Sequence, residues 1–168
     1  MIGAILCICT GFLMGNYFLE NINKRYNALK QIRQIMVSIA GEILYTRSNI
    51  SDIFLKISKK QEYPYREFMD YIYKETYSTN GRLSNIWTRG VDIYMRKLNL
   101  NEKDIELLNN MGSVMGSVGI DIEIENLRKY IEELDEQITH IKEELQGKKK
   151  LYRMLGLLCG VAISVILI

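Results

Sequence analysis

The residues of this chain with the widest chemical repertoire are one histidine, His140, and three cysteines, Cys7, Cys9 and Cys159. A histidine acts as general acid or base, or as metal ligand, only beside a second group held at a fixed distance. His140 lies next to Ile141 in a long charged stretch and reads as a solvated surface residue. The cysteines all fall inside apolar runs at the two ends of the chain, where they read as small packing residues and not as a disulfide framework or metal site. The patterns GxxxxGK[ST], HExxH and GxGxxG are absent. Gly112-Ser-Val-Met-Gly-Ser-Val-Gly119 is glycine-rich but lacks the lysine of a phosphate loop. The sequence therefore predicts no catalytic residue, no cofactor and no metal, and the expected protein is not an enzyme. A membrane-anchored hydrolase with an unrecognised site is the rival from another class.

Carboxylates crowd one stretch: Asp121, Glu123, Glu125, Glu132, Glu133, Asp135 and Glu136, against Arg128 and Lys129. Two readings fit. One is a solvated helix face. The other is a docking surface for a basic partner, with Glu132, Asp135 and Glu136 as candidate contacts, because a field of one sign speeds and orients association. The bulk composition, 48% hydrophobic, 25% charged and a formal charge of +2, is that of a folded protein without polyelectrolyte character, so nucleic acid is not an expected partner.

The elements that must position these groups begin and end in lipid-like sequence. Apolar runs occupy residues 1–19 and 151–168. At about 1.5 Å per residue, such runs reach about 27 to 28 Å as helices, close to the bilayer hydrocarbon core. The first carries no charged side chain, and the second carries only Arg153, placed to snorkel. A cleavable signal peptide competes for the first run, but it wants a basic leader and small residues at the cleavage site, and a permanent anchor fits better. Lys24, Arg25, Lys30 and Arg33 follow the first run, while Lys148, Lys149, Lys150 and Arg153 lead into the second. Positive charge stays on the cytoplasmic side, so the domain at 20–150 is expected in the cytoplasm. Small residues recur every four positions, Gly3, Cys7, Gly11 and Gly15 in one run and Gly156, Gly160 and Ser164 in the other, a spacing that lets membrane helices pack closely on each other or on another subunit.

Between the runs the pattern is helical throughout. Ile22, Tyr26, Leu29, Ile32, Met36, Ile39 and Ile43 continue the first anchor as one helix ending near 47–49. Short helices are expected at 52–58 capped by Ser51, from Pro64 to about Tyr77, after Ser84, and from Glu102 to about Asn110 capped by Asn101. Ile124, Leu127, Ile131, Leu134, Ile138, Ile141 and Leu145 then mark a last helix that runs through Gly147 into the second anchor as one rod. Such a seam serves a coiled coil or the core face of a bundle, and the pattern does not separate them. The number of short amphipathic helices that need burial favours the bundle. The tyrosines, several of them at 63–77, read as core and rim aromatics.

Several segments together resemble one family. Gly11-Phe-Leu-Met-Gly15 closes the first anchor, and a tryptophan sits in a central helix. Asp104-Ile-Glu-Leu-Leu108 leads to Met111-Gly112-Ser-Val-Met115-Gly116, and Leu151-Tyr-Arg-Met-Leu-Gly156 opens the second anchor. Over nearly the whole chain this arrangement is similar to stage III sporulation protein AB. The family pattern has an acidic residue and then a glutamine after the second glycine, where this chain has Gly119 and Glu123, with Asp121 nearby. The resemblance implies an all-α fold, a compact six-helix bundle like the cytoplasmic domains of the platform proteins of type II secretion and type IV pilus machines, flanked by two transmembrane helices that extend into its first and last helices. It implies a non-enzymatic platform in a channel complex of endospore formation, in the mother-cell membrane facing the forespore. Its partners would be the ATPase-like stage III sporulation protein AA, other membrane components of the complex and the lipid bilayer, with homo-oligomers possible. A static scaffold that dimerises through its last helix is the plainer alternative.

Overall fold

Two long helices frame the molecule: α1 (Ile2–Thr46) and α6 (Ile120–Leu167). Four shorter helices fill the space beside them: α2 (Ile50–Ser58), α3 (Tyr65–Ser78), α4 (Leu83–Tyr94), which continues into one 3-10 turn at Met95–Lys97, and α5 (Glu102–Val114). The computed structural model describes the backbone of residues 2–46, 49–79, 81–116 and 119–167, and the side chains of 17, 19–45, 49–79, 81–116, 119 and 121–151. Among the described residues every regular element is helical. The expected six-helix, all-α bundle is thus observed.

The three- and four-residue spacing on α1 does what it predicts. Leu29, Ile32, Met36, Ile39 and Ile43 are buried, and Ile22 and Tyr26 pack at the margin. On α6, Leu127, Leu134 and Ile141 are buried seven residues apart, while Ile124, Ile131 and Ile138 are only partly covered. The seam is used inside the chain, against α1 and α5, which are the helices packed on α6. Each large apolar side chain so buried contributes roughly 1.5–3 kcal/mol before the cost of ordering it.

Helix starts were harder to place from sequence. Helix α2 begins earlier than expected because Asn49, and not Ser51, is its cap: the Asn49 Oδ1 accepts the Ser51 N–H at 3.2 Å. Helix α4 has no side-chain cap at all, and Ser84 lies within its first turn. Pro64 precedes α3 and supplies its carbonyl to the Phe68 N–H at 3.1 Å. Asn101 caps α5 as expected, but the helix continues to Val114, past Asn110. Its extra turn carries Met111 and Gly112 into the core.

The core is centred on Trp87, which is fully buried. Its indole meets Phe68 edge-on at a centroid distance of 4.9 Å and Phe54 at 6.2 Å, and its Nε1 donates to the Leu108 carbonyl at 2.8 Å. The other face lies against Gly112, where an added Cβ would fall 2.1 Å from Trp87 Cδ1. Gly116 ends the α5 segment at φ +73°, a conformation that an L side chain resists. The paired Met-Gly steps thus have distinct tasks: Met111 and Met115 are buried, Gly112 admits the indole and Gly116 turns the chain.

Helices α1 and α6 run antiparallel, and their register is readable from charge. Arg33 pairs with Asp135, and the charge of Glu144 is felt at Arg25, so residue numbers fall along α1 as they rise along α6. From the Arg33–Asp135 pair, Leu19 is fourteen residues down α1 and Lys150 fifteen residues up α6, so both apolar runs leave the bundle at one end and at about one level. Those runs, residues 1–19 and 151–168, lie almost wholly outside the described side chains, as do Gly3, Cys7, Gly11, Gly15, Gly156, Gly160 and Ser164. Among the described residues no helix is long and apolar enough to cross a membrane.

Gly112→Ala is expected to lower stability by about 2–3 kcal/mol, because the indole is hemmed in on its other sides and overpacked cores lose about that much. Trp87 is the sole tryptophan, so its fluorescence during denaturant unfolding measures the effect directly.

Candidate functional site

Sequence reasoning places the candidate contacts on α6, and the structure divides them. Glu132 and Glu136, four residues apart on one face, are exposed, as is Glu133. Asp135 instead faces α1, where its carboxylate takes both the Nε and the Nη2 of Arg33, the latter at 2.7 Å. The exposed field is further diluted by Lys129, which pairs with Glu125 at 3.4 Å, and by exposed Arg128. What remains for a partner is a short acidic face carried by Glu132, Glu133 and Glu136, with Asp135 committed to holding two helices together.

The polar group of greatest structural consequence is one that the spacing alone had not marked. Asp104 is fully buried in the first turn of α5. Its carboxylate accepts Arg25 Nε at 2.7 Å, Arg25 Nη2 at 2.8 Å and the Asn101 N–H at 2.9 Å. The Asn101 side chain returns a bond to the Asp104 N–H at 2.9 Å, which completes a capping box. A buried carboxylate is costly unless its charge and lone pairs are answered, and here one fork from α1 and one backbone donor answer them. The signal was present as Asn-x-x-Asp at 101–104, although nothing in the sequence shows that Arg25 reaches it.

A second buried acid sits where α5 hands over to α6. Glu123 is 5% exposed, and one of its oxygens accepts the Gly116 N–H at 2.9 Å, which ties the loop to the first turn of α6. Burial pushes the Glu123 carboxyl above its usual range, and the Gly116 N–H opposes this. Glu123, counted from the sequence with the acidic stretch, is therefore a loop fastener pointing inward.

At the end of the bundle from which the apolar runs depart, Lys148 pairs with Glu144 at 2.6 Å, and this bond holds the Glu144 carboxyl below its usual value. Lys149 and Lys150 are exposed, while the Arg153 side chain lies outside the described residues. His140 is exposed on α6. Among the described residues no group of histidine, cysteine and carboxylate side chains could hold a metal ion.

Asp104→Ala is expected to cost about 3 kcal/mol or more, since it strands a mostly buried guanidinium and removes a helix cap. A double-mutant cycle with Arg25→Ala should give a coupling well above 1 kcal/mol, beyond the range of an exposed pair. For Glu123 the sign follows from its raised folded value. Its contribution to stability is complete at low pH and is lost as pH rises through that value. Glu123→Gln keeps an oxygen for the Gly116 N–H, so it should flatten this fall, read as Tm from about pH 4 to about pH 7.

Comparison with known proteins agrees with this architecture. The family model described as stage III sporulation protein AB matches residues 1–168. A solved structure titled stage III sporulation protein AB (SpoIIIAB) superposes with a TM-score of 0.68 at 15% identity, covering 73% of this chain and 97% of that one. Comparison with curated proteins gives no match. At that identity the solved structure speaks for the fold alone, whereas the family model spans every residue, so the chain belongs to the stage III sporulation protein AB family.

Proposed function

We propose that this protein is a non-enzymatic membrane platform in a secretion-like channel complex of endospore formation. It sits in the mother-cell membrane facing the forespore, with the bundle in the cytoplasm, and couples an ATPase-like partner, stage III sporulation protein AA, to the other membrane components. The observation that carries this reading is the register of α1 and α6. Two helices that pass unbroken from the bundle into apolar runs, side by side and at one level, suit insertion in a single membrane plane. A rigid bundle seated on two such rods transmits movement or force between a cytoplasmic partner and the membrane without chemistry of its own.

The basic residues at that level support the orientation, since Lys149 and Lys150 are exposed beside the start of the second run. The family supports the sporulation role. Membership of a family and a shared fold do not by themselves assign a partner, so the ATPase coupling rests on the platform analogy. A dimerising scaffold is the second reading, favoured by the partly uncovered edge of Ile124, Ile131 and Ile138 on α6.

The test is binding of the full chain, in detergent or nanodiscs, to stage III sporulation protein AA across a salt series. A salt-sensitive complex weakened about tenfold by Glu132→Lys with Glu136→Lys is the expected result. Asp135→Lys is unsuitable for this purpose because it breaks the Arg33 pair. No complex at any ionic strength would remove the ATPase-coupling role.

A further inference from the structure

The Arg33–Asp135 pair marks the line along which α1 and α6 meet at the surface, since both side chains are half-exposed. Steps of three and four residues from that pair stay on the same line of each helix. Moving away from the apolar runs, Arg33 is followed on α1 by Val37, Ala40 and Leu44, and Asp135 is followed on α6 by Ile131, Arg128 and Ile124. Val37 is therefore level with Ile131, and Leu44 with Ile124. Val37 is 43% exposed and Leu44 49%, while Ile124, Ile131 and, on the other side of the pair, Ile138 are only partly covered. The bundle thus leaves an apolar strip open along the seam of its two longest helices.

The charges beside the strip are sorted by helix. Lys30 and Arg33 lie on α1, whereas Asp121, Glu132 and Asp135 lie on α6 together with Arg128. Lys129 and Glu125 answer each other. Lys30, Arg33 and Arg128 against Asp121, Glu132 and Asp135 leave no net charge, so the strip does not select a partner of one sign. It is complementary to itself: turned through half a circle, the same face sets the cations of α1 against the carboxylates of α6.

The membrane fixes how two such faces meet. Two copies inserted in one bilayer send their apolar runs the same way, so a twofold axis relating them lies along the bilayer normal, close to the direction of α1 and α6. Such an axis keeps each residue at its own level and exchanges the helices. Helix α1 of one copy then packs on α6 of the other, with Val37 against Ile131, Leu44 against Ile124 and Arg33 against Asp135 of the second copy. Contact through α6 alone would instead set Arg128 on Arg128 and Asp135 on Asp135, where like charges repel. From Tyr26 to Leu44 the face runs about 27 Å, and two helices make it about 20 Å wide. About 500 Å² per copy, or about 1,000 Å² in all, is the least that a specific interface buries. Confinement of both copies to one membrane plane raises their effective concentration. We propose that the strip between α1 and α6 is the contact by which two copies of this chain pair side by side in the membrane. The inference rests on the membrane reading above and goes beyond a scaffold joined through its last helix, since each copy contributes both long helices.

The test uses the full chain in phospholipid bilayers, with Cys7→Ala, Cys9→Ala and Cys159→Ala removing the native thiols. Copies carrying Val37→Cys are mixed with differently tagged copies carrying Ile131→Cys, so a bond between the two positions can only join separate chains. Oxidation should give this mixed disulfide several-fold more often than either product of like with like, because the bond needs Cα atoms within about 7 Å. Leu44→Cys mixed with Ile124→Cys should repeat the pattern. Val37→Glu with Leu44→Glu, both at exposed positions, should lower the fraction of paired copies counted by single-molecule photobleaching about tenfold. A bond between two copies of Ile131→Cys without the mixed one would return the contact to α6 alone and overturn the arrangement. A chain that stays single while the ATPase-like partner shields Val37→Cys from a thiol reagent would assign the strip to that partner and overturn the pairing. Resistance to alkaline extraction reports insertion separately: an extracted chain refutes the membrane reading, whereas an inserted chain that stays single refutes only the pairing.

Discussion

A carboxylate can occupy the interior of a helical bundle only when its charge and lone pairs are answered, and Asp104 meets that condition through Arg25 and Asn101. The pair joins residues 79 positions apart and fixes where the start of α5 sits along α1. Because α5 carries Leu108 and Gly112 to Trp87, the position of the tryptophan, and with it the packing of α3 and α4, depends on this contact. A hydrophobic pair at the same place would tolerate sliding by a turn; a two-pronged guanidinium–carboxylate contact does not.

The ion pairs of α1 form a ladder along one helix. Arg25 reaches α5 and Arg33 reaches α6, so two of the four basic residues that sequence alone would assign to membrane orientation are engaged in the bundle. This alters the meaning of the charge asymmetry around the first apolar run. The exposed basic side chains near the departure level are Lys24 on α1 and Lys149 and Lys150 on α6.

Much of the fold was legible. The spacing of Leu29, Ile32, Met36, Ile39 and Ile43 named the buried stripe of α1, Asn101 named the cap of α5, and the unbroken seam on α6 named a single rod. Cap assignments failed at Ser51 and Ser84 because a cap is the last residue with non-helical backbone angles before the helix, and Asn49 and Arg82 hold those places. The candidate docking face was legible only as a count of carboxylates. Asp135 is taken by Arg33 at the half-exposed margin of α1 and Glu123 turns inward to Gly116, and no local pattern distinguishes such an acid from one a quarter-turn away when the partner lies on another element.

The sequence by itself determined the helical class, the amphipathic stripes and the apolar ends, because each is set by spacing within one segment and by side-chain type. Tertiary structure alone decided which charges pair, that Gly112 admits the indole of Trp87, and that α1 and α6 deliver both apolar runs to one level. Those are relations between segments far apart in the chain, and their geometry exists only once the helices have packed.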